Sequence, residues 1–353
     1  MSALVVCTGG GIGDVLLATP VMRALRARYG EVVALTAPAH ADVLAHDPDL
    51  AEVWTMSGSV LYDVARAAAR RFDAAVVTWA SPRSAALPFL ARIPVRVGQA
   101  GRLYSRLFTR RIVVRSEGGD RTTHWTQILL DFARALGCDV ADATPVFTVD
   151  DAARASLERT LVAAGIARPY VVLHPTRGIS AARKRWPVQT LGRLARELRR
   201  SSAGAVVVTG GATDRAIAER VAELGGAVSL AGRTTLREFA ALAAGAHAVV
   251  AMDSGPMHVA AAVGAPTLGL FAMRSDEPLR WAPLGARTAV VSGTYPCPPS
   301  HRKETCPNFA CVEALDVSQI SAALADLLAR ERAHRIRPPV TAASISGVQA
   351  PAD

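Results

Sequence analysis

Three stretches of the chain carry side chains with the reach and spacing for group-transfer chemistry. Residues 7–20 read CTGGGIGDVLLATP, a glycine loop that follows the apolar run LVV and ends on a carboxylate, Asp14. Its glycines let the backbone turn sharply out of a strand into a helix, with Gly11 and Gly13 shaping the loop. Gly9, Gly11 and Gly13 lack the G-x-G-x-x-G spacing of a dinucleotide site, and no Lys-Ser or Lys-Thr follows as in a P-loop. Phosphate binding is therefore not expected at this loop, where the Asp14 charge would oppose it. Two roles fit Asp14: a carboxylate accepting amide hydrogen bonds at a helix start, or a base at the carboxyl end of a strand, where open α/β sheets meet their ligands.

The second stretch, MDSGPMH at 252–258, runs from a strand through Asp253, Ser254, Gly255 and Pro256 into a small-residue helix carrying His258. Pro256 fits the first helical position. Ser254 and Gly255 would leave amides and a hydroxyl open to a diphosphate at the helix start, and Asp253 would orient the loop or bind a sugar hydroxyl. Taken singly, Asp253 also reads as a helix cap and His258 as an ordinary helix histidine. In the third stretch, LHPTRGISAARKRWP, Thr176 offers a hydroxyl and Lys184 a compact cation for a phosphate leaving group. Beside Arg183 and Arg185, Lys184 reads equally as a solvated loop charge, and Trp186 as packing.

Short β-branched runs alternate with helical patterns around these stretches. LVV, EVVAL, AEVW, DAAVVTW and VRV predict strands in the first half, with helices such as 14–28 and 59–71 between them. After residue 168 come YVVLH, AVVVTG, AVSL, AVVAM and PTLGLF. Between them, PVQTLGRLARELRR places Val188, Leu191, Leu194 and Leu198 on one helical face behind Pro187, and Thr235 and Glu238 have capping-box spacing. The pattern predicts two α/β domains with parallel sheets, residues 1–155 and 165–315, then a helix over 316–332 and a disordered tail over 335–353.

Half of the 353 residues are apolar, which suits two compact domains, and the net charge of +10 favours anionic partners without naming them. The N-terminus lacks a basic leader with an apolar core, and the apolar stretches near 239–273 are broken by His247, Asp253, His258 and Pro266. A cytoplasmic, unexported protein is expected. Five cysteines, an odd number, do not form an extracellular disulfide framework and suit a reducing compartment. Residues 92–115 hold seven arginines and no acid, either a solvated basic face or, through Arg102 and Arg106, contacts to an anionic acceptor. Nucleic acid is not expected, since no reader motif accompanies the charge. Cys297, His301, Cys306 and Cys311 are a weak zinc candidate with non-standard spacing. Asp47-Pro48-Asp49 imitates a metal-binding D-x-D, but its proline marks a turn.

Together, GGGIGDVLLATPVMRAL, HPTRGISAARKRWP, VTGGATDRAIAERVAEL and SLAGRTTLREFAALAAGAHAVVAMDSGPMHVAAAVGAPTLGLF resemble the bacterial heptosyltransferases of glycosyltransferase family nine, over roughly residues 3–330. The resemblance implies a GT-B fold, two facing Rossmann-like domains with the active cleft between them. It implies inverting transfer of a heptose from an ADP-activated donor to the inner core of lipopolysaccharide or a related surface glycan. Neither metal ion nor resident cofactor is then expected. Asp14 maps to the proposed general base, Thr176 and Lys184 to donor-phosphate contacts, and the Asp253–His258 loop to diphosphate and sugar. The acceptor side falls in the first domain, with an anionic lipid-linked saccharide and the inner face of the cytoplasmic membrane as partners. Many relatives carry glycine where Thr176 stands, and GISAAR lengthens that loop. An acid that binds the nucleotide in some members falls near Thr213 or Asp214. Two other readings are a GT-B enzyme using another donor or epimerising a nucleotide sugar, and an inert nucleotide-sugar binding protein.

Overall fold

The computed structural model describes residues 1–175, 187–201, 204–271, 278–293, 295, 296, 298, 310–314 and 316–336. In the first half, β1 (Ser2–Cys7), β2 (Glu31–Thr36), β3 (Glu52–Thr55), β4 (Ala74–Val77), β5 (Val95–Gln99) and β6 (Arg110–Ile112) form one parallel sheet ordered β3-β2-β1-β4-β5-β6. The second half repeats this winding with β7 (Tyr170–His174), β8 (Ala205–Val208), β9 (Val228–Ser229), β10 (Ala248–Met252), β11 (Thr267–Phe271) and β12 (Thr288–Ser292), ordered β12-β11-β10-β7-β8-β9. In each sheet the strand order reverses beside the first strand, which opens a crevice past the carboxyl ends of the central strands. The sequence patterns located ten of the twelve strands found among the described residues. β6 and β12 escaped because both are edge strands, half-solvated and without the unbroken apolar run of a central strand.

Alternation along each strand feeds both faces of its sheet. Leu4 and Val6 of β1 join Val33, Leu35, Ala75 and Val77 in a cluster beneath the helices Val60–Arg70 and Pro82–Leu90. Ala3 and Val5 point the other way, toward the helices Thr19–Tyr29 and Trp125–Arg134. The second sheet is likewise two-faced, with Val171 and Leu173 on one side and Tyr170 and Val172 on the other. The helix Asp151–Ala163 leads from the first sheet to the second and packs on the helix Leu236–Ala244. Thr235 and Glu238 make the expected capping box there. The last helix runs Val317–Ile336, beyond the expected end at 332 and into residues assigned to the tail; residues 337–353 lie outside the described residues.

One expected helix, 14–28, is two: Ile12–Leu16 and Thr19–Tyr29. Pro20 explains the break, because it has no N–H for the Leu16 carbonyl and its ring crowds that position in a continuous helix. The Thr19 hydroxyl replaces the missing donor at 2.9 Å and accepts from the Val146 amide at 3.0 Å. The short first helix is therefore free to aim at the other domain.

The halves meet through that short helix, which packs against Gly255–Ala262 of the second half. One apolar cluster runs through the contact, holding Val15 and Leu16 from one side and Met257, Val259 and Ala260 from the other. Polar ties flank it. Arg237 reaches Asp150 and the Ala45 and Asp42 carbonyls, His124 reaches the Ala282 carbonyl at 2.9 Å, and Arg280 reaches the Asp120 carbonyl.

The Asp47-Pro48-Asp49 turn is structural. Asp47 accepts the Asp49 amide at 2.9 Å, and Asp49 pairs with Arg23 at 3.2 Å. Burial pushes the Asp47 carboxyl up to about 6. The folded chain thus holds this proton more tightly than the unfolded chain, and stability is lost as pH rises from the unfolded value toward 6. Asp47→Asn keeps an acceptor for Asp49 and removes the buried charge. It should raise the melting temperature at pH 8, by at most about 3 kcal/mol of stability; the gain should shrink through pH 6 and be gone by pH 4 in thermal scans. Gly255→Ala tests the domain contact. Its Cβ would lie 3.0 Å from Ile12 Cβ and 3.2 Å from the Gly13 nitrogen, so the variant should lose about 1–3 kcal/mol and scatter X-rays as a more open particle. An unchanged radius of gyration and melting temperature would mean that the contact yields freely.

Candidate functional site

The carboxyl ends of β1 and β10 face each other across the domain contact, and the loops leaving them build a cavity of about 660 Å³. From the first half it takes the glycine loop, Asp14 and His40; from the second, Asp253, Ser254, Gly255, Pro256, His258 and Trp281. Asp14 is not the N-cap of its helix. Gly11 holds that place, and Asp14, in the first turn, reaches back to accept the Gly11 amide at 2.7 Å. Gly10 makes this possible, with φ of +76° and no room for a Cβ beside the Asp14 carboxylate. Burial raises the Asp14 pKa; the Gly11 amide and the charge of His40 pull the other way without reversing it. The result is a carboxylate more basic than one in water, opening onto a cleft.

The helix Gly255–Ala262 starts one residue earlier than expected, with Ser254 as N-cap and Pro256 second in the helix. The Ser254 hydroxyl donates its proton to the Met252 carbonyl at 2.8 Å and keeps only acceptor capacity toward the cavity that Ser254 lines. No side chain caps this helix, but Pro256 has no N–H and the Met257 amide donates to the Ser254 carbonyl at 3.1 Å, so the helix start presents the Gly255 amide and its positive dipole end to the cavity. His258, one turn in, is 5% exposed. Burial and the neighbouring His124 lower its pKa to about 3, so the ring is neutral, and its Nδ1 has no hydrogen-bond partner among the described residues. Asp253 lines the cavity as expected. Thr176 and Lys184 lie outside the described residues, as do Cys297, His301 and Cys306; Cys311 is buried in the apolar cluster beneath the last helix.

A second cavity of about 280 Å³ adjoins the first, sharing Ile12 and Pro256. Phe239 and Leu236 give it apolar walls, while Thr209, Asp214 and Thr235 bring polar groups. His174 bonds Thr209 at 2.9 Å and stands edge-on to Phe239, its pKa lowered to about 4 by burial. Of the two positions at which the sequence left an acid undecided, Asp214 lines this cavity and accepts the Gly211 amide at 3.1 Å; Thr213 does not line it. An apolar slot with a carboxylate and hydroxyls at its rim suits a flat heteroaromatic ring carrying a sugar.

A third cavity of about 290 Å³ opens past β4 and β5, between Trp79, Gln99, Arg102, Tyr104, Glu117 and Trp125. Trp125 touches both neighbours in a run of three indoles, 6.1 Å from Trp79 and 5.2 Å from Trp281, which carries the wall of the third cavity to that of the first. Arg102 lines this cavity, paired with Glu117; Arg106 does not line it. The basic stretch is only partly a free face. Arg96 is tied to the Ile93 and Leu107 carbonyls, Arg110 to Ala135 and Arg115 to Asp131.

The sequence reading missed His40, His124 and the indole run, since none sits in a motif. His124 caps the helix Trp125–Arg134 by accepting the Thr126 amide at Nδ1, 3.2 Å. Its Nε2 must then carry the proton donated to Ala282 across the cleft, and burial lowers its pKa, keeping that neutral form.

Residues 64–309 match Glycosyltransferase family 9 (heptosyltransferase). Lipooligosaccharide heptosyltransferase 2 of Haemophilus influenzae is 30% identical over 247 residues, covering 65% of this chain and 68% of that protein. The glycosyl transferase family 9 structure from Veillonella parvula superposes with a TM-score of 0.79 at 20% identity, covering 93% and 97% of the two chains. E. coli ADP-heptose lps heptosyltransferase II gives 0.75 at 23% identity, covering 94% and 100%. Both share the GT-B architecture of two facing parallel sheets. With more than half of its length matched by the family, the chain belongs to glycosyltransferase family 9 and is a glycosyltransferase.

Proposed function

We propose that this glycosyltransferase moves a heptose, with inversion, from ADP-heptose to an anionic, lipid-linked saccharide of the lipopolysaccharide inner core or a related surface glycan, at the inner face of the cytoplasmic membrane. One observation carries the reading: Asp14 from the first sheet and the Asp253–His258 loop from the second open onto one cavity. Relatives named as lipopolysaccharide and lipooligosaccharide heptosyltransferases support the choice of sugar and acceptor.

Asp14 takes the proton of an acceptor hydroxyl as its oxygen bonds to the anomeric carbon. The anomeric bond to the diphosphate breaks on the opposite face, its electron pair leaves with ADP, and the configuration inverts. Positioned general-base assistance is worth about 10²–10⁴-fold. The Gly255 amide and the positive dipole end of the helix Gly255–Ala262 face the charge that grows on the diphosphate. Thr176 and Lys184 act on the same diphosphate, with the Lys184 cation neutralising the leaving group. Neutral His258 adds a hydrogen-bonding nitrogen without a charge of its own. The second cavity takes the adenosine, with the base between Phe239 and Leu236 and the ribose beside Asp214. The third takes the acceptor saccharide, where an anionic group displaces Glu117 from Arg102 and the tryptophans stack on sugar faces. A metal ion has no part in this scheme.

Asp14→Asn should lower kcat by about 10²–10⁴-fold and leave the donor dissociation constant within twofold in calorimetry. Unchanged turnover would reject the base assignment. In the native enzyme kcat/KM should fall on the acid side as Asp14 takes a proton, with the limb above the ordinary carboxylate range because burial raises that pKa. The nucleotide assignment is read separately by thermal shift with ADP-, UDP- and GDP-sugars at equal concentration. ADP-heptose should stabilise most, by about 2.7 kcal/mol at a hundredfold excess over its dissociation constant; greater stabilisation by a UDP- or GDP-sugar would move the donor to another base.

A further inference from the structure

Exposed apolar side chains gather where the helix Pro82–Leu90 packs along the 3₁₀ segment Leu103–Leu107. In a 3₁₀ helix residues three apart eclipse, so Tyr104 and Leu107 share one side and Leu103 and Arg106 another. The first pair packs on the apolar cluster of the sheet's outer face. The second faces solvent, with Leu103 81% exposed. Phe89 and Leu90 at the end of the neighbouring helix are 45% and 50% exposed. Arg96 joins the two segments, standing 5.5 Å over the Phe89 ring while donating to the Leu107 carbonyl at 2.7 Å.

The rim of this strip is basic. Arg92 follows the helix at φ +57°, a left-handed position that glycine usually fills at a helix end, and its side chain is exposed. Neither Arg92 nor Arg106 has a carboxylate partner among the described residues. Large apolar side chains in a basic frame match an interface whose outer layer is anionic and whose inner layer is apolar. The strip also starts at the third cavity, since Leu103 adjoins Arg102, which lines it.

We propose that this strip seats the enzyme on an anionic phospholipid bilayer. Leu103, Phe89 and Leu90 enter the headgroup boundary, Arg92 and Arg106 meet lipid phosphates, and the mouth of the third cavity is held beside the surface. The purpose of this contact rests on the lipid-linked acceptor of the proposed function; the contact itself needs neither donor nor acceptor.

Flotation of the full chain with vesicles of phosphatidylcholine containing phosphatidylglycerol, and with phosphatidylcholine alone, tests it. The protein should float with the anionic vesicles, lose this at high salt, and stay in solution with the neutral ones. Each arginine near such a surface is worth about fivefold in partitioning, so Arg92→Glu with Leu103→Ser should weaken flotation at least about tenfold. Leu103→Ser alone, a surface change, provides a second variant should the pair fail to fold. Both variants should keep native turnover on a delipidated, water-soluble acceptor and lose it on acceptor embedded in vesicles. No flotation of the native protein, or undiminished flotation of the variants, would overturn the proposal. So would a dimer in sedimentation that Leu103→Ser abolishes, since the strip would then be covered by a second copy. Vesicle binding without turnover on any acceptor would sink the proposed reaction and leave this one standing.

Discussion

The cleft exists because two helix starts approach without side chains between them. Gly13 and Gly255 lie so close that a Cβ on Gly13 would come 3.5 Å from Gly255 Cα and 3.2 Å from the His258 ring. Each sits in the first turn of a helix that follows a central strand, so this one contact fixes how the two crevices face. The burial that raises the pKa of Asp14 and lowers that of His258 belongs to the closed arrangement. An aqueous gap would return both groups toward ordinary behaviour.

The same contact sets a division of labour. The first sheet brings a carboxylate and an aromatic, charged cavity; the second brings the Gly255 amide at a helix start, a neutral histidine and an apolar slot. In the proposed reaction the base and the leaving-group stabiliser sit on different bodies, so that chemistry would need both together. The Arg237, His124 and Arg280 ties bear on that geometry, and the His124 tie needs a neutral ring with its proton on Nε2. Neutral rings at His124 and His258 also avoid two adjacent buried cations.

Much of the site was legible before folding was considered. The carboxylate of the glycine loop and the D-S-G-P-M-H run are local, and a strand followed by glycines and a helix start fixes where their side chains emerge. The break at Pro20 was in principle readable from the missing amide, though the apolar spacing hid it. Ser254 lines the cavity, but its hydroxyl donates to the Met252 carbonyl, a two-residue bond that composition does not report. His40, Trp79, Trp125 and Trp281 gave no signal, because their nearness to Asp14 and to one another depends on packing between segments far apart in the chain.

The sequence by itself determined the two parallel sheets, since unbroken β-branched runs separated by amphipathic helices can bury both faces in no other way, and it determined the chemical types at the strand ends. Only the tertiary structure decided which of those types share a cavity. It put Asp214 rather than Thr213 at the second cavity, tied down four of the seven arginines of the basic stretch, Arg96, Arg102, Arg110 and Arg115, and turned Leu103 outward. The physical reason is the range of the forces. Strand and helix choice follows from neighbours within a few residues, whereas burial, ion pairing and pKa depend on groups that meet only once the two sheets are face to face.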